Sequence, residues 1–418
     1  MSPQSRGRRR KPTRTPRTRA AESHRPSRVS TLMLKDLRKV EAADAAVTAE
    51  SWASTYLGAA WYRSGLGDDL AETTMGLEVV ASVIDRPSPG GLAAISAIRR
   101  IASPDDWDHL DAAIAALFQT FPPPHWAAVP PATPLSAWRT DDVWLSSKAL
   151  FVDYDDDSGK GHTLMLQATT PGGVMAGVLD ILPRDAVATW DGLVDQRSGV
   201  MPLSPAPVDE VLAEIADVMA TTDAYWPRYA SDEYTAFRAL FWSRCRDHLT
   251  AHTAQRPDLD RAPLLSAFAD VPAVKHLAPE VVASLAALFL DFGEGHIEAG
   301  PLAWSPGHVS AVLNDWLPKV TLDPDQRRDL PEVLHAWVRF ALEHRGLEER
   351  WILPVEEAVD ECLPDFDEAF EDEHSWGPAR MVAEELRSRG IDLTDPDSVE
   401  EGIRAYNAER IARSLLEP

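Results

Sequence analysis

The stretch FVDYDDDSGKGHTLML, residues 151–166, decides the fold class, because it lies at the centre of the clearest β pattern in the chain. Apolar side chains alternate with other residues on both sides of its charged middle, at Leu150, Val152, Tyr154, Leu164, Leu166 and Ala168. A period of two is typical of a strand, and Asp, Ser and Gly between two such segments are typical of a turn. The stretch predicts a β-hairpin.

The aspartates and the Gly-Lys-Gly of this stretch also suggest two ligand-binding motifs, and neither is complete. An EF-hand calcium loop that starts at Asp153 needs glycine at its sixth position and glutamate at its twelfth, where this chain has Ser158 and Leu164. A phosphate-binding loop needs Ser or Thr after its lysine, where Gly161 follows Lys160. We therefore predict no cofactor and no metal here, and expect the aspartates to face solvent at the hairpin tip.

Beyond the hairpin, VMAGVLDIL (residues 174–182) predicts a third strand, so one small antiparallel sheet should cover about residues 143–182. The period elsewhere is helical, most clearly in residues 207–222, 231–249 and 329–346. Ser231 is a suitable N-cap, and Gly346 is suited to the left-handed residue that ends a helix. The predicted fold class is α+β, predominantly α-helical.

The chain is long enough for two or three domains. Residues 1–30 are rich in Arg, Pro, Ser and Thr, and predict a disordered basic tail. The proline-rich segment 122–134 predicts a linker, because proline cannot continue a helix. We predict a helical N-terminal domain over 31–121, an α+β middle region with a three-stranded sheet over 135–300, and a helical C-terminal module over 301–418.

Charge is distributed unevenly along the 418 residues. The net charge is −25, but residues 1–30 hold ten Lys/Arg and one acid, whereas the remaining residues carry −34. An acidic body repels nucleic acid and membranes, whereas a basic tail attracts phosphates. The residues of the tail that we predict to contact nucleic acid are Arg6, Arg8, Arg9, Arg10 and Lys11.

Cysteine content and hydropathy indicate the cellular compartment. Cys245 and Cys362 are the only cysteines, too few for a disulfide framework. The longest apolar run, VVASLAALFL (residues 281–290), is half of what a membrane-spanning helix needs, and no apolar segment of an export signal follows the arginines. We predict a cytoplasmic protein with no export signal and no membrane span.

Three other groups of residues have features of metal or catalytic sites but are better explained by structural roles. His248 and His252 have the i, i+4 spacing of zinc ligands, but no third ligand is identifiable nearby. The acids and histidine of FEDEHSWGP (residues 370–378) are expected to be solvated at a helix end. Cys245 lies on the apolar face of its predicted helix, where cysteine behaves as a small hydrophobic residue.

The last third of the chain contains DWLP (315–318), AWVRFA (336–341), WGPA (376–379) and GIDLTDPD (390–397). With these segments it resembles a family of uncharacterised proteins from high-GC Gram-positive bacteria. A weaker likeness covers the hairpin and TTDAYW (221–226). Members of that family often carry Asp-His-Asn before the paired glycines, where this chain has ATTP (168–171). The motifs are mostly apolar and turn residues, and the family has no established activity, so the resemblance implies a shared fold more than a function.

The sequence contains no complete catalytic constellation, so we do not predict an enzyme. The leading hypothesis is a non-enzymatic binding or adaptor protein of the bacterial cytoplasm, with an unidentified protein partner and weak nucleic-acid binding through its tail. The alternative is a metal-dependent hydrolase that uses Asp153, Asp155 and neighbouring acids. The two hypotheses differ in whether these acids converge in a pocket or face solvent.

Overall fold

The computed structural model describes residues 27–65, 67–68, 70–155, 161–169, 175–194, 201–228, 230–249, 259–392 and 395–416. Before the sheet lie helices α1 Arg28–Lys35, α2 Leu37–Glu41, α3 Ala46–Arg63, α4 Ala71–Asp85, α5 Pro89–Ile101 and α6 Trp107–Phe118. The strands are β1 Thr133–Asp141, β2 Ser147–Asp155, β3 His162–Thr169, β4 Met175–Pro183 and β5 Ser204–Ala206.

Ten more helices follow β4 in the described chain. Helix α7 Ala186–Val194 lies between β4 and β5. The others are α8 Val208–Ala224, α9 Asp232–Cys245, α10 Arg261–Ala269, α11 Pro279–His296, α12 Pro306–Ser310, α13 Pro324–His344, α14 Glu349–Glu371, α15 Pro378–Ser388 and α16 Pro396–Leu416. The fold class is α+β and predominantly helical with one antiparallel sheet, as predicted.

The sheet is larger than the predicted three strands. Its order is β4-β3-β2-β1-β5, and all neighbouring strands are antiparallel. Strands β2, β3 and β4 are the predicted ones, with Leu150 opposite Leu166 and Val152 opposite Leu164. Strand β1 lies partly in the predicted linker, and a register irregularity between Pro134 and Ser136 accommodates the proline. The three-strand prediction was wrong because prolines hide both β1 and the short β5.

The helix signals were reliable where a cap accompanied the apolar period. The hydroxyl of Ser231 accepts a hydrogen bond from the Tyr234 N–H at 3.0 Å and starts α9 as predicted. Gly346 has φ +77° directly after α13, a conformation that favours glycine. Within the described ranges, no helix has both the length and the apolar character needed to cross a bilayer.

Two large cores organise the described chain. The first core contains buried apolar residues from Val29 to Cys245 and packs α1–α6, α8 and α9 against one face of the sheet. The second core contains buried apolar residues from Phe268 to Phe370 and packs α10–α14. A small cluster on the other face of the sheet packs Phe151 against Trp190 of α7. Both faces of the sheet are therefore covered.

The predicted domain boundaries fall inside these cores. Trp126, within the proline-rich segment, is fully buried in the first core. In the second core, Trp304 packs on Phe292 across the 300/301 boundary, with ring centroids 5.5 Å apart. A Cβ atom on Gly293 would lie 2.7 Å from the Cα atom of Pro301, so α11 closely approaches the segment that follows the boundary.

The turn between β1 and β2 joins the two cores. The indole N–H of Trp144 donates to the carbonyl of Trp351, in α14, at 2.9 Å. Arg345 donates to the carbonyls of Val143 and Trp144, both at 3.3 Å. Leu145, with φ 61°, reverses the chain at this point. The first core thus contacts the second through one aromatic side chain held by hydrogen bonds.

Candidate functional site

Asp153, in β2, is buried, whereas we predicted a hydrated carboxylate. The residue is 8% exposed. One carboxylate oxygen accepts from the Thr163 hydroxyl at 2.5 Å and from the Ala186 N–H at 3.2 Å, and the other accepts from the Ser136 hydroxyl at 3.0 Å. The prediction was wrong because α7 covers the sheet face on which the Asp153 and Phe151 side chains lie. Asp153 therefore ties the start of α7 to the sheet.

The rest of the acidic stretch forms no site among the described residues. Asp155 is half-exposed and pairs with Arg184 at 2.9 Å. Residues 156–160, which include two further aspartates and the Gly-Lys pair, lie outside the described residues. In the described ranges, no three His, Cys, Asp or Glu side chains are arranged to hold a metal ion.

The remaining sequence candidates behave as structural residues where they are described. Burial raises the pKa of Cys245 to about 12, as expected for a core thiol. His248 lies in a 3-10 turn after α9 rather than on the α-helix, and His252 lies outside the described residues. Glu371 pairs with Arg327 and is exposed. The basic residues predicted to contact nucleic acid, 6 and 8–11, also lie outside the described residues.

Two of the motifs that carry the family resemblance meet at one buried side chain. Arg380, directly after WGPA, donates to the carbonyl of Pro318 in DWLP at 2.7 Å and to that of Phe370 at 2.9 Å. Its guanidinium lies 3.6 Å from the centroid of the Phe370 ring. The Trp376 indole donates to the same Phe370 carbonyl at 2.9 Å. These residues hold α14 and α15 together, which is a packing role.

A further concave surface lies around the first turns of α4, and we call it the α4 groove. It consists of three neighbouring cavities of about 520, 310 and 260 Å³. The largest and the second cavity share Glu72, Asp223 and Arg238 as lining residues, and the second and third share Asp68 and Ala71. The sequence reasoning missed this groove, because its walls come from seven helices, α1, α3, α4, α5, α6, α8 and α9.

Asp223, near the end of α8, organises the groove. Its Oδ1 accepts from the Tyr234 hydroxyl at 2.8 Å and from Arg238 Nε at 2.9 Å. Its Oδ2 accepts from Arg238 Nη2 at 2.7 Å and from Trp242 Nε1 at 2.9 Å. The three donors are spaced four residues apart and so share one face of α9. Arg238 Nε also donates to Oδ2 at 3.1 Å, so the carboxylate accepts five hydrogen bonds and positions its neighbours rather than taking a substrate proton.

Arg238 connects α9 to α4 and covers an aromatic ring. It is 11% exposed at its side chain and pairs with Glu72 at 2.6 Å as well as with Asp223. Trp61 lies between two guanidiniums, with Arg238 4.4 Å and Arg228 4.3 Å from its ring centroid. Burial opposes the charge of Arg238, but Glu72 and Asp223 more than offset it and raise its pKa. The guanidinium is therefore fixed in its charged form.

The other arginine that lines the largest cavity, Arg246, also forms hydrogen bonds within the protein. Arg246 donates to the carbonyls of Ile101, Ala102 and Trp242 at 2.9–3.1 Å, where it satisfies the end of α5. Burial lowers its pKa. The guanidinium is thus used to hold α9 against α5, and its donors are directed to backbone oxygens rather than into the cavity.

The carboxylates of the same cavity outnumber its arginines. Four acids line it, Glu72, Asp105, Asp106 and Asp223, against the two guanidiniums, so two negative charges are in excess. Asp105 is exposed and forms no hydrogen bond with the described residues, and Asp106 accepts one from the Thr73 hydroxyl at 3.0 Å. The floor of this cavity is apolar and consists of Leu57, Ile98, Ile101 and Leu110.

Exposed apolar side chains stand at the mouth of the groove. Leu70, which lines the largest cavity, is 65% exposed, and Trp226, which lines the second, is 47% exposed. Trp226 and Asp223 both belong to TTDAYW, one of the segments of the weaker family likeness. That segment, together with the four-residue spacing on α9, is the signal in the sequence that points to this groove.

Two titratable groups beside the groove are held in their neutral forms. Burial raises the pKa of the Tyr234 hydroxyl well above its ordinary value, and Asp223 adds to the effect. Cys245, near the base of the groove network, has its pKa raised in the same way. Neither group is prepared to ionise near neutral pH. Comparison of the chain with protein-family models, with curated proteins and with solved structures finds no match.

Proposed function

We propose that this is a non-enzymatic binding protein of the bacterial cytoplasm, and that its α4 groove takes a basic polypeptide segment. Lysine and arginine combine an apolar stem with a charged head. The largest cavity offers the complement of both, with an apolar floor below a mouth that carries excess carboxylates. Its volume of about 520 Å³ is in the range of ordinary ligand pockets.

The observation that carries the proposal is the state of the two arginines of this cavity. Arg238 is neutralised by Asp223 and Glu72, and Arg246 donates to three backbone carbonyls. Because the protein already uses its own cations, Asp105 and Asp106 present their charge to an incoming ligand. An acidic ligand would meet uncompensated repulsion there.

The hydrolase alternative receives less support from the described residues. The carboxylate of Asp153, its central acid, already accepts three hydrogen bonds from the fold. Asp155 is engaged by Arg184. The family resemblance and the predicted contact between the basic tail and nucleic acid both stay predictions, and neither conflicts with a groove that binds basic segments.

The proposal is tested with a blocked hexa-arginine peptide as the probe, titrated calorimetrically at fixed ionic strength. The host is the full chain with Arg6→Gln, Arg8→Gln, Arg9→Gln, Arg10→Gln and Lys11→Gln, the neutral-tail variant, in which the basic run of the chain does not compete. Adding Asp105→Asn and Asp106→Asn should weaken binding at least about tenfold, the equivalent of one well-placed charge contact.

The matched control changes the same number of charges elsewhere. Glu357 and Glu361 are exposed on α14, and neither pairs with a described cation, so Glu357→Gln with Glu361→Gln alters the net charge equally. This pair should leave the affinity unchanged. If both pairs weaken binding to the same extent, the peptide is attracted only by the overall negative charge, and the groove proposal is wrong.

A further inference from the structure

We propose that the occupant of the α4 groove is the basic run Arg6–Lys11 of the same chain. This inference rests on the proposed function, and names the partner for the site described above. RGRRRK carries five of the ten basic residues found in residues 1–30. Residues 31–418 carry a net charge of −34. The run is therefore the densest group of the positive charges that the acidic cavity is suited to bind.

The described chain begins at the groove itself. The backbone N–H of Ser27 donates to Glu78 Oε2 at 2.8 Å, and the Ser30 hydroxyl donates to the same oxygen at 2.7 Å. Ser27 and Arg28 line the third cavity. Glu78 follows Glu72 by six residues on α4, which is about 9 Å along the helix axis. Ser27, the first described residue, therefore lies at the third cavity of the α4 groove.

The chain before Ser27 is long enough to reach that mouth. Fifteen residues separate Lys11 from Ser27. A segment of this length spans at most about 50 Å when extended, and about 22 Å as a flexible coil. Both lengths exceed the distance along α4 from Glu78 to Glu72. A tether only moderately longer than the span gives a local concentration in the millimolar range, so weak charge contacts are sufficient for occupancy.

The groove is a better match for the run than two other acidic surfaces of the described chain. One is a cavity of about 620 Å³ beside α15, lined by Glu373, Glu384 and Glu385, and none of its lining residues belongs to the first core, to which Ser27 is attached. The other is an exposed stripe on α14, formed by Glu357, Glu361, Asp365 and Glu368, which has as many carboxylates as the largest cavity of the groove. That stripe has no apolar floor to take arginine stems, and it belongs to the second core, whereas Ser27 is attached to the first. Proximity and the apolar floor both favour the α4 groove.

The contact is tested on the unmodified full chain by carbodiimide cross-linking, which joins an amine directly to a neighbouring carboxylate. Lys11 is the only lysine before Lys35, so its cross-links are unambiguous in a peptide map. We expect Lys11 to be joined to Asp68, Glu72 or Asp105, with a yield that does not depend on protein concentration. Predominant cross-links to Glu357 or Glu361, or a yield that rises with concentration, would overturn the inference.

A competition experiment separates this inference from the proposed function. If the run occupies the groove, hexa-arginine should bind the neutral-tail variant at least about tenfold more tightly than the unmodified chain. Equal and groove-dependent affinity for both chains would reject the intramolecular contact and leave the proposed function standing. Affinity that is insensitive to Asp105→Asn with Asp106→Asn in both chains would reject the proposed function itself.

Discussion

The hairpin end of the sheet and the α4 groove both contain an aspartate that accepts several hydrogen bonds, and they differ in the donors. Asp153 receives two hydroxyls and one backbone N–H, all neutral. Asp223 receives a guanidinium, an indole and a phenol, each on a side chain that lines or supports a cavity. Neutral local donors hold a structural carboxylate in place, whereas side chains from several helices build a surface that can take a ligand.

Among the substitutions that test this comparison, Arg238→Ala is expected to lower the free energy of unfolding most. The substitution leaves Asp223 in a mostly buried position without its counter-ion and removes one of the two guanidiniums that cover Trp61. We expect the free energy of unfolding to fall by about 3–5 kcal/mol, as for the loss of one partner of a buried ion pair. Equilibrium unfolding in urea measures the change.

A control separates the charge of Arg238 from its shape. Arg238→Lys keeps the charge but cannot donate to Asp223 and Glu72 from one planar group, so its cost should lie between those of the alanine variant and the wild type. If Arg238→Ala costs less than about 1 kcal/mol, the network is solvated, and the contrast with the hairpin end disappears.

At the hairpin end, Asp153→Ala should cost about 1–3 kcal/mol, because it leaves the Thr163 hydroxyl and the Ala186 N–H without their acceptor. Asp153→Asn keeps an acceptor and should cost less. The matched control is Arg184→Ala, which breaks the half-exposed pair with Asp155 and should change the free energy of unfolding by less than about 1 kcal/mol. A larger effect of Arg184→Ala than of Asp153→Ala would contradict this assignment.

The smallest changes in the free energy of unfolding are expected for substitutions of two buried tyrosines, and these two changes should differ. Tyr234→Phe removes a hydroxyl that donates to Asp223, and should cost about 1 kcal/mol. The Tyr154 hydroxyl, buried beside the hairpin, has no hydrogen-bond partner among the described residues, so Tyr154→Phe should be neutral or stabilising. Paired urea titrations measure both changes. A clear loss of stability for Tyr154→Phe would show that its hydroxyl is hydrogen-bonded after all.

The elements that the sequence predicted well are those whose signals are local. Helices α8, α9 and α13 follow an apolar period of three to four residues, and Ser231 marks the start of α9. Strand β1 was missed because Pro134 normally excludes a strand, and only pairing with β2 shows that an irregular register tolerates it. The burial of Asp153 had a signal in the continuous apolar run ALFV (149–152), which is typical of a strand covered on both faces.

The groove could not be predicted in the same way, because its defining contacts join distant positions. Glu72 and Arg238 form an ion pair although 166 positions separate them in the chain. Counting acids in a window favours clusters such as the one around Tyr154, in which Asp153 holds the start of α7 and Asp155 pairs with Arg184. The function proposed here rests on residues that lie far apart in the sequence. The sequence around each of them does not indicate the others.

The Trp144 contact has a consequence for exchanging parts between related chains. An indole from the sheet enters the second core and is held by Trp351 and Arg345. A chimaera that replaced the C-terminal half would need a recess of the same shape and the same backbone acceptor. Without them, a large aromatic side chain and its N–H would be left in water or would clash. An exchange of the two halves would therefore also have to keep the contact of Trp144 with Trp351 and Arg345.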